Sequence, residues 1–229
     1  PFYYDNVVVP GGLYAYWAKL LPEIASSTAS LKSFCPEAGF TASGFAKMFG
    51  CTGAALAFYS TAKPEKKKQV FALLLPITLT AIICGITEPI EFTFLFVAPP
   101  LFVIHAVLAA TLATTMWIAG IVGINSGGLI EIASLNLIPL MRNHWQQYIL
   151  MLVIGLIFVG IWFVVFRFLI LKFDFKTPGR EDDAEIEFGS KAKFREQQAA
   201  KGAKVSDDPN VELCQMILEG LGGKDNIAD

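Results

Sequence analysis

The sequence predicts an all-α polytopic membrane protein with re-entrant or broken helices, followed by a polar linker and the first helix of a second domain. Three observations predict it. Charge is segregated: 22 of the 38 Asp, Glu, Lys and Arg of this 229-residue chain fall in residues 172–229. Between Val70 and Met141 there is no Lys or Arg, and only Glu88, Glu91 and Glu131 are acidic. Uncharged runs cover residues 70–87, 92–130 and 145–166, with 18, 39 and 22 residues, against the roughly 20 apolar residues a spanning helix needs. Charged residues make up only 17% of the chain and hydrophobic ones 54%. This excludes a disordered chain, a nucleic-acid binder and a single soluble globule.

Taken in order, the elements are these. The start, Pro1-Phe2-Tyr3-Tyr4-Asp5, has neither Met nor a basic leader and reads as the middle of something longer. Residues 48–62 form a short uncharged run rich in Gly and Ala. It suits one limb of a re-entrant hairpin or a close-packed short helix, because small residues let backbones approach. Residues 70–87 form the next apolar segment. Residues 92–130 are broken by Pro99-Pro100 and by Gly120, Gly123, Gly127 and Gly128. Irregular backbone at membrane depth is tolerated only where protein or a water-filled cavity covers it, and such breaks point to transport sites. Residues 145–166 are the cleanest span, closed by Arg167 and Lys172.

Lys63, Lys66, Lys67 and Lys68 form one basic loop, and Arg167, Lys172, Lys176 and Arg180 another. Excess Lys and Arg mark the cytoplasmic side, so both loops belong there. An even number of crossings must separate them. Four full crossings, or two plus re-entrant segments, satisfy this. The membrane part is assigned to residues 1–172 and a polar cytoplasmic linker to 173–208. A second domain starts over 209–229, where Val211, Cys214, Ile217, Leu218 and Leu221 form one apolar helix face.

The residues that could carry chemistry centre on Gly85-Ile86-Thr87-Glu88-Pro89-Ile90-Glu91-Phe92. Carboxylates between apolar runs cost at least about 2.5 kcal/mol at the membrane centre, so they are rare without a role. Pro89 disfavours helix at Glu88 and suits a first helical position. A helix is therefore expected to start at Pro89 or Ile90, with Glu88 as its N-cap and Glu91 third. Glu88 could then accept hydrogen bonds from sugar hydroxyls. The bland alternative is two acids that merely cap a helix in an aqueous loop. Thr87, Asn125, Ser126 and His105 are further polar groups near breaks, and Phe94, Phe96, Phe102 and Trp117 could stack on sugar rings. For each of these, packing is the commoner role. The four cysteines and two histidines lack ligand spacing, so no metal, cofactor or disulfide framework is expected. Cys214 reads as buried and inert.

The run Gly85–Phe92, followed by Leu95-Phe96-Val97-Ala98-Pro99 and Ile104-His105-Ala106, resembles the membrane component, enzyme IIC, of the bacterial phosphotransferase system, glucose superfamily. Lys47-Met48-Phe49-Gly50, Thr61-Ala62-Lys63-Pro64-Glu65 and Lys176-Thr177-Pro178-Gly179-Arg180 support it. Leu221-Gly222-Gly223-Lys224-Asp225-Asn226-Ile227 resembles the start of the fused enzyme IIB, a small α/β domain. The resemblance implies a permease in the cytoplasmic (inner) membrane, with a cytoplasmic C-terminus and elevator-type motion. It also implies phosphorylation of the sugar by phospho-IIB. The partners it implies are a sugar, the bilayer, the fused IIB and through it IIA, and a second copy in a homodimer, with no nucleic acid. The family's sugar-contacting glutamate maps onto Glu88, with Thr87 and His105 beside it as sugar-binding candidates. The family's upstream histidine, its dimerising half and its phosphocysteine have no counterpart in this chain, which therefore resembles a C-terminal fragment with no catalytic residue of its own. Phosphoryl transfer to sugar would belong to the complete parent. Pro1-Phe2-Tyr3-Tyr4-Asp5-Asn6 and Gly50-Cys51-Thr52-Gly53 look more like maltose or α-glucoside members than glucose ones. Two alternatives stay open: a non-transporting remnant of such a permease, and a proton-coupled carrier using Glu88 and Glu91.

Overall fold

The computed structural model of the protein describes residues 2–180. The remainder of the expected linker and the helix expected over 209–229, with Cys214, lie outside the described residues.

One feature corrects the all-α expectation. Phe2–Tyr4 (β1) and Val7–Val9 (β2) pair antiparallel, with Phe2 opposite Val9. The cause is local. Aromatic and β-branched residues flank Asp5 and Asn6, which take positive φ of 50° and 63°. Two such residues make the tight turn whose twist matches a hairpin.

The rest of the described chain is helical. Gly12–Ser26 (α1) is followed by the short turns Leu31–Phe34 (α2) and Ser43–Phe45 (α3), with a 3-10 turn Pro36–Thr41 between them. A π-helical turn, Ala46–Gly50, runs into Cys51–Thr61 (α4). Next come Lys67–Cys84 (α5), Glu88–Leu95 (α6), Pro99–Ile118 (α7) and Leu129–Ile132 (α8). A second π turn, Ala133–Leu137, leads into Ile138–Phe173 (α9).

Of the two readings of residues 48–62, the close-packed short helix is the one observed. Small residues let α4 lie directly on α9: a Cβ on Gly53 would come within 2.5 Å of the Trp162 Cβ and 2.6 Å of the Val159 carbonyl oxygen. Among the described residues, three helices are long and apolar enough to cross a membrane: Pro64–Cys84, Pro99–Ile118 and Leu129–Phe173. Four spans of about 20 residues are therefore not what the uncharged runs form. Part of that length goes into the eight-residue α6 and the loop 119–128. The third helix is kinked at His144, where φ is -121°. There His144 Nε2–H donates to the Ile24 carbonyl (3.0 Å) and Asn143 Nδ2 to that of Ala25 (2.7 Å). The Asn143 bond takes up the Ala25 carbonyl in the last turn of α1, where carbonyls lack helical partners, and His144 shares the Ile24 carbonyl with the Ser27 N–H.

The two basic segments meet at one end of the helices. The Lys63 N–H donates to the Gly179 carbonyl (3.0 Å), Arg180 Nη1 to that of Thr61 (3.3 Å) and Arg167 Nη1 to Ser60 Oγ (2.8 Å). At the opposite end of α5, Gly85 lies against Gly127 and Gly128. The chain between these glycines thus leaves and returns to one place. Within it, Phe94 meets Phe102 (ring centroids 6.2 Å apart) and Glu91 faces His105, so α6 and the first half of α7 form a returning hairpin.

The expected linker begins differently from a solvated tether. Asp174 caps α9 in the left-handed region (φ 50°), and Thr177, Pro178 and Gly179 are buried. The Asp174 carboxylate holds this turn by accepting from Lys176 Nζ (2.8 Å) and Arg180 Nη2 (2.5 Å).

Candidate functional site

The break ahead of α6 forms where the sequence places it, but the helix starts earlier than expected. Gly85 ends α5 in the left-handed conformation (φ 74°), and its N–H donates to the Ala81 carbonyl. Thr87, not Glu88, is the N-cap residue, and its carbonyl accepts the N–H groups of both Ile90 (3.1 Å) and Glu91 (2.9 Å). Glu88 therefore already lies in the first turn, and Pro89 fits there because first-turn N–H groups have no helical partner. Thr87 is buried and Glu88 is exposed.

A cavity of about 830 Å³ lies between the α2–α3 segment, the π turn, α6 and α7. This is within the ordinary range for small-molecule sites. Glu37, Lys47, Glu91, His105, Thr114 and Trp117 give it polar and aromatic groups. Ala109, Ala110 and Ala113 leave room along α7. Neither Thr87 nor Glu88 lines it.

His105 is the most constrained group there. Trp162 Nε1–H donates to its Nδ1 at 3.1 Å. Phe94, Trp162 and Phe166 surround the ring at centroid distances of 5.5, 5.6 and 6.5 Å. Its Nε2 lies 3.7 Å from Glu91 Oε1. Trp117 is fixed by donating Nε1–H to the Pro36 carbonyl (3.1 Å), and Lys32 Nζ sits over its ring, 3.1 Å from the centroid. One indole face is thus already taken by a cation. Beside the cavity, burial pushes the Cys35 thiol up to about 11, so it stays protonated near neutral pH, with its S–H directed at Glu37 (3.7 Å).

The polar residues of loop 119–128 serve packing. The Asn125 carbonyl accepts from the Gly44 N–H (2.7 Å), and Asn125 Oδ1 accepts from Asn136 Nδ2 (3.2 Å). Ser126 Oγ donates to Glu131 Oε2 at 3.2 Å, and the Gly127 N–H donates to the same oxygen.

Comparison with known proteins gives the family. The family model "Phosphotransferase system, EIIC" matches residues 8–110, which include the break, α6 and the Glu91–His105 pair. The chain belongs to the phosphotransferase system EIIC family. It is 53% identical to an alpha-glucoside-specific EIICB component of Leptotrichia buccalis and 52% identical to a maltose-specific EIICB component of Bacillus subtilis. Both alignments cover 100% of the chain and 44% of the relative. It is 42% identical to a glucose-specific EIICBA component of Staphylococcus carnosus over 79% of the chain and 24% of that relative. The chain thus spans less than half the length of these curated relatives.

In this EIIC chain the sequence-expected residues separate into two groups. Thr87 and Glu88 stay at the break. His105 and Trp117 join Glu91 at the cavity, while Phe94 is buried behind it. Glu37, Lys47 and Trp162 were not expected from the sequence. Lys47 carries a readable signal, as the one cation between Lys32 and Lys63.

Proposed function

We propose that this chain carries the sugar-handling part of a phosphotransferase-system permease, taking maltose or a related α-glucoside in preference to glucose. The observation that carries the reading is identity near one half, across the whole chain, with relatives named for those sugars. The cavity suits such a ligand. Carboxylates at Glu37 and Glu91, a cation at Lys47 and the Thr114 hydroxyl offer both acceptors and donors around an alanine-lined space. Glu88 and Thr87 contact sugar at the α6 break, as the family resemblance implies, and His105 does so from α7.

In this reading α5 and α9 cross the bilayer and the α6–α7 hairpin re-enters it. The end that gathers Lys63, Arg167 and Arg180 faces the cytoplasm, and so does the C-terminal segment. The sugar is phosphorylated there by a IIB domain charged through IIA, and the complete permease is a homodimer.

The test is uptake of radiolabelled maltose into membrane vesicles from cells producing the protein. The reading expects uptake that needs phosphoenolpyruvate, survives collapse of the proton gradient and is competed by other α-glucosides better than by glucose. Uptake driven by the proton gradient without phosphoenolpyruvate would identify a proton-coupled carrier instead.

A further inference from the structure

We propose that Trp162 is a positioning residue that presents His105 Nε2–H and the Glu91 carboxylate as one donor–acceptor pair for a single sugar hydroxyl. The inference rests on the sugar-permease reading and assigns a recognition element within the same cavity.

An indole nitrogen can only donate a hydrogen bond. Its buried 3.1 Å bond to His105 Nδ1 therefore requires that nitrogen to be the acceptor, without a proton. The proton of the imidazole is left on Nε2. The aromatic rings of Phe94, Phe166 and Trp162 keep the imidazole from turning. Nε2–H is consequently held toward the cavity, 3.7 Å from Glu91 Oε1. That separation is too long for a hydrogen bond between the two. The Glu91 side chain is 26% exposed and that of His105 is 8% exposed, and both residues line the cavity.

A hydroxyl group accepts and donates at once. Placed between the two groups, it accepts from Nε2–H and donates to the carboxylate. An ammonium group could not accept from Nε2–H, and an anion would be repelled by Glu91. The pair thus selects a neutral hydroxyl. Trp162 is not among the cavity-lining residues, so its N–H acts on the ligand through His105. Without its N–H the imidazole is free to carry its proton on Nδ1, and Nε2 would then turn an acceptor toward the carboxylate.

The test uses the complete protein purified in detergent, with 15N-labelled histidine and a panel of monodeoxy maltoses. The wild type should show a His105 signal with protonated Nε2 and unprotonated Nδ1. Trp162→Phe, which keeps an aromatic ring but removes the N–H, should give mixed tautomers and about tenfold weaker maltose binding. Trp145→Phe, an exposed position on α9, should change neither. One deoxy sugar should bind the wild type at least about tenfold more weakly than maltose, yet lose little relative to maltose in Glu91→Gln or Trp162→Phe. Maltose binding by a wild type whose His105 has protonated Nδ1 would overturn the inference and leave the permease reading standing. So would equal penalties for every deoxy sugar in wild type and variants. A wild type that binds no α-glucoside would overturn the permease reading and the hydroxyl assignment with it.

Discussion

Gly85 and Gly128 touch backbone to backbone. A Cβ on Gly128 would lie 2.4 Å from the Gly85 nitrogen and 2.6 Å from the Ile83 carbonyl oxygen, and a Cβ on Gly85 would lie 2.6 Å from the Gly128 nitrogen. This contact seats the break before α6 against the loop that leaves α7. Gly128→Ala cannot be absorbed by a flexible side chain, because the atoms it meets are backbone. It should cost about 1–3 kcal/mol, the usual range for overpacking, and lower the melting temperature in detergent. Gly160→Ala is the control. It lies in α9 with open space where its Cβ would go, and should leave the melting temperature unchanged or slightly raised, since Ala favours helix over Gly. Equal melting of the two variants would show that the Gly85–Gly128 contact is dispensable.

Glu131 holds the same loop from its other side. Its carboxylate accepts from the Gly127 N–H, from Ser126 Oγ and from Tyr14 Oη (3.2 Å). Tyr14 and Ser126 are also in contact with each other. Replacing the carboxylate by an amide removes charge assistance from all these bonds and leaves a single acceptor oxygen. Glu131→Gln should therefore destabilise the protein by about 1 kcal/mol, with Tyr14→Phe costing less. Hydrogen exchange at the Gly127 amide is the direct readout. Unchanged protection there in Glu131→Gln would show that the loop is held by its glycine contacts alone.

Much of this architecture is legible in the sequence because its causes are local. Membrane composition is written residue by residue, so α5, α7 and α9 appear as uncharged runs. Pro99-Pro100 and the glycines from 120 to 128 act on their own backbone, so the breaks appear as well. The hairpin at Asp5-Asn6 is equally local, but it lies outside the hydrophobic pattern that marks membrane helices. The cavity is different in kind. Glu37 and Lys47 share a cavity with Glu91 only because the 3-10 turn and the π turn pack against α7, and Trp162 meets His105 across 57 residues of chain. His105 shows the limit most plainly. The sequence offers packing and ligand contact as alternatives, whereas in the structure three aromatic rings pack around an imidazole that also lines the cavity, with Nε2 3.7 Å from Glu91 Oε1.

The turn after α9 supplies a pH-dependent prediction. A hydrogen bond from Lys176, then one from Arg180, holds the Asp174 carboxyl below its usual value. The folded pKa is depressed, so the contribution of the clasp is complete above the unfolded carboxylate pKa of about 3.9. It is lost as pH falls through the lower folded value. Asp174 is fully exposed, so its effect on global stability should be too small to measure. Asp174→Asn should instead raise hydrogen exchange at the Lys63 amide, which donates to Gly179, with no change in melting temperature. In the wild type that protection should persist on acidification to about pH 4 and fall below it. Protection that is unchanged in Asp174→Asn would show that the carboxylate clasp is dispensable to the turn.

The two acids of α6 make the sharpest functional comparison. Glu91 lines the cavity beside His105, whereas Glu88, three residues earlier, is exposed at the break. A permease that moves its site through the membrane presents different groups to the ligand in different states, so both can serve at separate stages. Glu88→Gln is expected to abolish maltose binding in the complete protein while membrane insertion stays intact. Glu91→Gln is expected to weaken binding by about tenfold, the loss of one charge-assisted hydrogen bond. Equilibrium binding to membranes, with the amount of inserted protein measured in parallel, separates the outcomes. Unchanged affinity in Glu88→Gln would remove that residue from the site and leave Glu91 as the acid that meets the sugar. Loss in Glu88→Gln with none in Glu91→Gln would instead place the sugar at the break, and would make the cavity beside α7 a route to the site or space opened by movement of the hairpin.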